Sequence, residues 1–350
     1  MSEPTPPLSP ALETERPQAV WIITPPRERW WLYVLFFALT MFSTTVVGAR
    51  MQFNFMQHQP VFSLNDDAVS LFPLGWVLEK RSNLLLGLPF SLTLMFILFA
   101  HEMGHYLYAR HYRVYVTPPF FVPFPSLIGT LGAFIRIKSP IPSRAALFDI
   151  GIAGPIAGFI PACIALLAGL SLSRPITGPP VSGLQLGFPL AFHLAARFLH
   201  GSTPLSGLSL HPVAAAAWVG MFATALNLLP GGQLDGGHII FSIAPGLHRW
   251  ISIATVFALV PLGKYFWTGW LLWAVLLAIT ARHPPVPRHP EVAGRRRGIA
   301  ALALLMLVLS FTPAPFTQSS GREVWPQVRD GARETLRDLR DGVRHLLHRK

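Results

Sequence analysis

The sequence predicts an all-α, polytopic membrane protein, a bundle of about six to seven transmembrane helices. Of its 350 residues 51% are hydrophobic and only 13% are charged, which is typical of chains whose outer surface faces lipid. Several apolar stretches approach the roughly 20 residues that a helix needs to cross a bilayer. The net charge of +12 lies in short basic runs beside apolar segments, which indicates lipid headgroups and orientation signals rather than a nucleic-acid partner.

The apolar runs divide the chain into elements. Residues 1–29, rich in proline and charge, predict a flexible tail rather than a cleavable signal peptide. Asp149 is expected to cap the third span, and the small residues at 154–158 within that span favour close helix packing. Residues 114–148 are too rich in proline for one helix, and 131–138 within them predicts a short extended segment or hairpin at the membrane edge. The predicted spans are 30–49, 84–108, 150–172, 213–229, 251–262 and 266–280.

The predicted membrane-embedded core, residues 30–281, is followed by three further segments. These are a basic cytoplasmic loop at 282–298, a last apolar segment at 299–316 and an amphipathic C-terminal helix at 317–350. The arginines of the loop place it in the cytoplasm, and counting spans backward places the ends of the second and fourth spans on the same side. If the last apolar segment crosses the membrane fully, the basic C-terminal tail lies outside, against the positive-inside rule. A re-entrant or membrane-surface arrangement of this segment would remove the conflict, and both possibilities stay open. The single cysteine, Cys163, excludes an intrachain disulfide.

A HEMGH motif near the end of the second span carries the strongest chemical signal. Positions four apart share one face of a helix, so His101 and His105 can converge on one metal ion while Glu102 stands beside it. This is the smallest unit of a zinc hydrolase. Ionisable groups inside an apolar helix are costly unless they are paired or functional, so the membrane context strengthens the metal interpretation.

Catalytic zinc usually keeps three protein ligands and leaves one position for water, so a third ligand is required. His111 has the spacing of an extended metalloprotease motif, but Tyr108 replaces the glycine that would bend the chain back. An unbroken helix would carry His111 away from the shared face. Asp235, a lone carboxylate in NLLPGGQLDGGH after the fourth span, is the better candidate.

With these two motifs the sequence resembles the site-2 protease family of intramembrane zinc metalloproteases. HEMGH, NLLPGGQLDGGH and the intervening GTLGAFIRIKSPIPSRAALFDIGIAGPIAG all match, over roughly residues 84–240. The resemblance implies one Zn²⁺ per chain, held by His101, His105 and Asp235, with Glu102 as general base. It also implies that Asn227 hydrogen-bonds substrate or the developing oxyanion, although this residue could equally be a helix-packing amide.

The implied activity is hydrolysis of peptide bonds within or near transmembrane segments of membrane-protein substrates by a metal-activated water. A substrate helix must unwind first, and residues 129–136 are expected either to capture the unwound strand by edge pairing or to form a simple interfacial loop. No segment is long and polar enough for a PDZ domain or a CBS-domain pair, so the chain resembles the compact type. The expected partners are the transmembrane substrate and the lipid bilayer, with the oligomeric state left open.

Two other functions compete with proteolysis. A metal transporter could bury the same ligands, but it does not need Glu102, and its sites tend to recur in internal repeats that are not evident here. A non-proteolytic membrane chaperone on the same fold would be expected to lose at least one of the four site residues. A bacterial or archaeal cytoplasmic membrane is the default location, with the site toward the cytoplasmic side.

Overall fold

The computed structural model describes residues 28–59, 61–62, 72–80, 82–176, 186–287, 289–290 and 292–316. Within these residues the chain is rich in helix, with two small sheets of two strands each. Nearly all of the predicted N-terminal tail, and the amphipathic helix predicted at 317–350, lie outside the described residues.

The helices follow the predicted order of apolar segments. They are α1 Trp30–Met56, α2 Leu74–Glu79, α3 Asn83–Leu86, α4 Leu88–His111, α5 Arg144–Leu172, α6 Leu190–His200, α7 Pro212–Asn227, α8 Asp235–Ile243, α9 Pro245–Tyr265, α10 Gly269–Ile279 and α11 Arg295–Ser310. The strands are β1 Phe120–Pro123, β2 Thr130–Phe134, β3 Arg174–Pro175 and β4 Leu208–Ser209.

Three of the described helices, α1, α5 and α9, are long and apolar enough to cross a membrane, and α7 and α10 are shorter apolar helices. Helix α4 has 24 residues, but its ionisable residues near the C-terminal end lower its mean hydropathy. Large apolar side chains stay exposed on the outer faces of these helices, as expected where lipid is the solvent. On α4, α5 and α9 they include Leu92, Phe96, Phe99, Ile160, Ile164, Leu167, Phe257 and Val260. The chain is an integral membrane protein.

Helix α4 lies at the centre of the described fold. It packs against α5, α7 and α1, and its apolar N-terminal half enters the largest buried cluster with Phe90, Leu94 and Ile97. Trp218 of α7 fills the middle of that cluster and donates its indole N–H to the carbonyl of Gly187, 2.8 Å away. Burial of these large side chains holds the polar end of α4 in a fixed position between α5 and α7.

The proline-rich segment after α4 forms a β-hairpin. Strands β1 and β2 pair antiparallel, with Phe120 opposite Phe134, and an isolated bridge between Val116 and Ile137 extends the ladder. The hairpin is held to α1 because Ser43 donates its hydroxyl to the carbonyl of Gly129, 2.6 Å away. The predicted extended segment at 131–138 is therefore one side of this hairpin.

The expectation that Asp149 caps the third span is wrong. Helix α5 begins earlier, and Ser143 caps it by accepting a 3.1 Å hydrogen bond from the backbone N–H of Ala146. Asp149 lies inside the helix and pairs with Arg296 of α11 through two hydrogen bonds of 2.7 and 2.8 Å, while Tyr112 donates its hydroxyl to the same carboxylate. A serine six residues upstream therefore takes the capping role, and the carboxylate joins three distant segments instead.

Candidate metal centre

Two histidines and one aspartate meet at the polar end of α4. His101 and His105 stand one turn apart with their Nε2 atoms 3.1 Å from each other. Oδ2 of Asp235 lies 3.3 Å from both Nε2 atoms. Among the described residues, these three form the group of histidine, cysteine and acidic side chains whose ligand atoms converge as a metal ion requires.

A loop that is bonded to α9 positions Asp235. The fourth span, predicted at 213–229, corresponds to α7, which stops at Asn227, and Asp235 begins the separate helix α8. In the loop between α7 and α8, Gly232 makes two hydrogen bonds to side chains of α9. Its carbonyl accepts from His248 at 3.0 Å, and the backbone N–H of Gly232 donates to the hydroxyl of Ser252 at 3.1 Å. Thr255 donates to the carbonyl of Pro230 at 2.9 Å. Three side chains of one helix thus fix the approach to the carboxylate.

The donor set fits a small divalent cation. The buried Oδ2 atom of Asp235 has no well-aligned hydrogen-bond donor among the described residues, which is costly for a carboxylate oxygen unless a cation satisfies it. Zinc–nitrogen bonds of about 2.0–2.1 Å in a tetrahedron imply ligand atoms about 3.3–3.4 Å apart. The observed separations of 3.1–3.3 Å match that spacing.

The ring of His105 is held in the form that a metal ligand needs. Its Nδ1 atom lies 2.7 Å from the carbonyl oxygen of Ile150, and because a carbonyl can only accept, the proton is on Nδ1. With the proton on Nδ1, Nε2 is the nitrogen that can present a lone pair to a metal ion, and such a supporting bond also raises the basicity of the ligand.

Glycines of α5 form the wall behind the two imidazoles. A Cβ atom at Gly154 would overlap the ring of His105, and one at Gly158 would lie 2.9 Å from Cβ of His101. The GPIAG segment, predicted to favour close helix packing, lies directly against the two histidines.

Glu102 lies in the same centre, beside a cavity of about 220 Å³. Its side chain is buried, and the backbone of Ile135, next to β2, interacts with its carboxylate. The cavity is lined both by the polar side chains of the centre and by apolar side chains that include Phe134, Ile137 and Leu147. A peptide segment entering along the hairpin would therefore reach Glu102 and the donor atoms together.

Of the two other candidate residues considered in the sequence, Asn227 lies at the centre and His111 does not. Asn227, the last residue of α7, lies with its Nδ2 atom 3.2 Å from Nε2 of His101. His111 is the last residue of α4 and is not part of the converging group. Sequence reasoning missed His238, which lines the cavity three residues after Asp235; its position one helical turn further along the LDGGH segment was the available signal.

Comparison with known proteins gives a consistent result. The sequence profile of peptidase family M50 matches residues 89–261. The chain is 33% identical over 242 residues to the probable zinc metalloprotease EGY2, chloroplastic, of Arabidopsis thaliana, covering 66% of this chain and 42% of that protein. It is 30% identical over 302 residues to the probable zinc metalloprotease EGY1, chloroplastic, of the same plant, covering 81% of this chain and 53% of that protein. No solved structure matches the chain significantly.

The chain spans about half the length of these curated relatives. Both are named as chloroplastic plant proteins, so they do not support the bacterial or archaeal membrane expected from the sequence. The matched range, residues 89–261, contains His101, Glu102, His105 and Asp235, and its extent agrees with the resemblance seen between residues 84 and 240. The chain belongs to peptidase family M50, the site-2 protease family.

Proposed function

We propose that this protein is an intramembrane zinc metalloprotease that hydrolyses peptide bonds within or near transmembrane segments of other membrane proteins. The observation that carries the proposal is the convergence of His101, His105 and Asp235 within hydrogen-bonding distance of one another, with Glu102 in the same cavity. Membership of family M50, and relatives named as probable zinc metalloproteases, support the same activity.

In this proposal His101, His105 and Asp235 hold one zinc ion. When bound, zinc supplies a Lewis acid that lowers the pKa of a water molecule and polarises a peptide carbonyl. Glu102 accepts the proton of the attacking water and then gives it to the leaving amine, as a general base and general acid in turn. Its buried position shields that proton transfer from bulk water.

Asn227 is proposed to donate a hydrogen bond from Nδ2 to the substrate carbonyl or to the oxyanion that develops on it. The support is its position, with Nδ2 3.2 Å from Nε2 of His101. A helix-packing amide would instead be expected to bond across the interface between α7 and its neighbours.

The proposed substrate is a single transmembrane helix that unwinds near the centre. Helical carbonyls are occupied by their own hydrogen bonds, so a scissile bond becomes accessible only in an extended segment. Strand β2 runs along the cavity with Ala133 and Phe134 in its wall, and we propose that the unwound segment pairs with the hairpin by strand addition.

The finer topology belongs to the same proposal. We propose about six to seven spans, of which six lie within a core at 30–281, followed by a loop at 282–298 and a last apolar segment at 299–316. The site is proposed to face the cytoplasmic side, or the equivalent positive side in an organelle. The support is the set of basic residues near the polar end of α4 and the hairpin, namely Arg110, Arg113, Arg136, Lys138 and Arg144.

A metal transporter and a non-proteolytic chaperone are not favoured. The buried carboxylate of Glu102 beside the ligands has a role in hydrolysis and none in metal transport, and a chaperone would not need the complete set of four residues. Both relatives named above are named as proteases.

The test compares cleavage of a panel of single-span membrane proteins in liposomes by the native chain and by Glu102→Gln, with bound zinc measured in both. We expect cleavage to fall to the uncatalysed level in the variant while zinc stays bound. Glu79→Gln, in α2, a helix that contributes no described residue to the cavity wall, is the matched control and should cleave at the native rate. Bound zinc without native cleavage across the panel would contradict the protease proposal, and absence of zinc from the native chain would contradict the ligand assignment.

A further inference from the structure

A pair of histidines outside the metal ligands connects the cavity to the loop after α10. His238 of α8 lines the cavity, and its Nδ1 atom lies 2.8 Å from Nε2 of His283. The other ring nitrogen of His283, Nδ1, lies 2.7 Å from the carbonyl oxygen of Pro284. The ring of Phe241 stacks on that of His283 with centroids 3.9 Å apart and an interplanar angle of 15°.

The order of protons along this pair follows from its ends. A carbonyl oxygen only accepts, so Nδ1 of His283 carries a proton. Burial lowers the pKa of His283, which favours the neutral ring near pH 7, and in that ring Nε2 is an acceptor. His238 therefore donates from its Nδ1, and its own neutral ring has an unprotonated Nε2.

That Nε2 atom has no hydrogen-bond partner among the described residues. His238 is half-buried in the cavity wall that also contains Glu102 and Asn227. A hydrogen-bond acceptor in such a wall is matched by a donor that arrives with the ligand, and an extended peptide supplies one backbone N–H at every residue.

We propose that His238 is an additional substrate-binding residue of the catalytic cavity, which accepts a hydrogen bond through Nε2 from a backbone N–H of the unwound peptide, and that His283 is the positioning residue that fixes its tautomer. The inference rests on the proposed protease function. The proposed role of His238 complements that of the metal centre, since zinc and Asn227 would bind carbonyl oxygens of the peptide and His238 would bind a backbone N–H.

Two substitutions at one position separate the two nitrogens of His238. The polar end of asparagine reaches the place of Nδ1, so His238→Asn keeps a donor for His283 and removes the acceptor in the cavity. The longer glutamine reaches the place of Nε2, so His238→Gln keeps a carbonyl acceptor in the cavity and gives up the bond to His283. A purely structural role for the pair predicts the opposite ranking.

The measurement is the affinity of a synthetic single-span peptide, taken from the panel that the native chain cleaves, for protein in the Glu102→Gln background. Adding His238→Asn should weaken binding by about three- to tenfold, the effect expected for one neutral hydrogen bond, while His238→Gln should stay within about twofold. Bound zinc should not change in either. In the active background, the loss should appear as a higher KM for His238→Asn with kcat largely kept.

The positioning role has its own pair of variants. His283→Leu removes the acceptor for His238 and should weaken peptide binding, whereas His283→Gln restores an acceptor and should recover most of the affinity. Unchanged peptide affinity in His238→Asn, or a larger loss of affinity in His238→Gln than in His238→Asn, would overturn the inference. Cleavage by the native chain would still support the proposed function in that case. Absence of native cleavage would overturn both.

Discussion

At the scale of single residues, the centre depends on side chains that are absent as much as on those that are present. Gly154 and Gly158 contribute nothing to metal chemistry, yet their missing Cβ atoms allow α5 to lie directly against the rings of His105 and His101. Close-packed interiors do not absorb an extra methyl group without movement. The position of the two imidazoles is therefore determined by the neighbouring helix as well as by their own.

Gly154→Ala should displace the ring of His105 and weaken zinc binding by about 10- to 100-fold, the loss typical when the shell around a metal ligand is disturbed. Zinc content after dialysis against a graded chelator series measures this. Gly246→Ala is the matched control because a Cβ atom there meets nothing within 4 Å, and it should keep native zinc affinity. Equal zinc affinity in the two variants would show that the glycine wall does not position the ligand.

At the scale of elements, the third ligand depends on α9, a helix that contributes no ligand itself. Ser252 is fully buried, accepts from the N–H of Gly232 and donates to the carbonyl of His248 at 2.8 Å. His248 in turn bonds the carbonyl of Gly232. Both polar groups of one loop residue are thus satisfied by α9, and the loop carries that constraint to Asp235 three residues later.

Ser252→Ala should leave the N–H of Gly232 without a partner and lower the free energy of unfolding by about 1–3 kcal/mol. It should also weaken zinc binding, because the loop before Asp235 loses its attachment. Ser171→Ala is the control, since Ser171 is exposed and makes the same bond to the carbonyl four residues earlier, at 2.9 Å, without touching a loop. The measurements are thermal unfolding in detergent and zinc titration of both variants. A loss of stability in Ser252→Ala without a loss of zinc affinity would show that α9 stabilises the fold but does not position the ligand.

The same elements show what the sequence could and could not predict. Apolar runs located α1, α4, α5, α7, α9 and α10, with ends that differ from the observed ones by at most seven residues, because lipid-facing helices need continuous apolar surface. The prediction of helix ends was wrong where a polar residue has a partner that is distant in sequence. Asp149, predicted to cap the third span, pairs instead with Arg296, which lies 147 positions away. Asp235 lies on a separate helix because Pro230 and the two glycines that follow it break the helix after α7, a signal that the sequence contains. The hydrogen bonds of this loop to α9 could not be predicted, because they join segments that are distant in sequence.

At the scale of the whole molecule, charged clusters join segments that are far apart in sequence. Glu28, just before α1, contacts the hydroxyls of Tyr33 and Tyr115 at 2.7 and 3.0 Å and the ammonium of Lys138 at 2.5 Å. Tyr115 and Lys138 lie at the base of the hairpin, which continues into the strand beside Glu102. The start of the first span is therefore attached to the segment that borders the candidate metal centre.

This attachment predicts a dependence of stability on pH. The hydrogen bond from Lys138, followed by that from Tyr33, lowers the pKa of Glu28 from its ordinary value of 4.5. A carboxyl group with a lowered pKa stabilises the folded state above its ordinary pKa, and that contribution is lost as the pH falls through the lowered value. We expect Glu28→Gln to lower the unfolding temperature in detergent at pH 7, and the difference from the native chain to close progressively below pH 4.5.

Lys138→Met provides the matching half of a double-variant cycle for that pH dependence. If the two residues act through each other, adding Lys138→Met to Glu28→Gln should lower the unfolding temperature less than it does in the native chain. Additive effects, or a difference between Glu28→Gln and the native chain that persists unchanged at acid pH, would mean that Glu28 acts through packing rather than through its charge. The cluster lies at the surface, so the effect should also shrink as salt is raised.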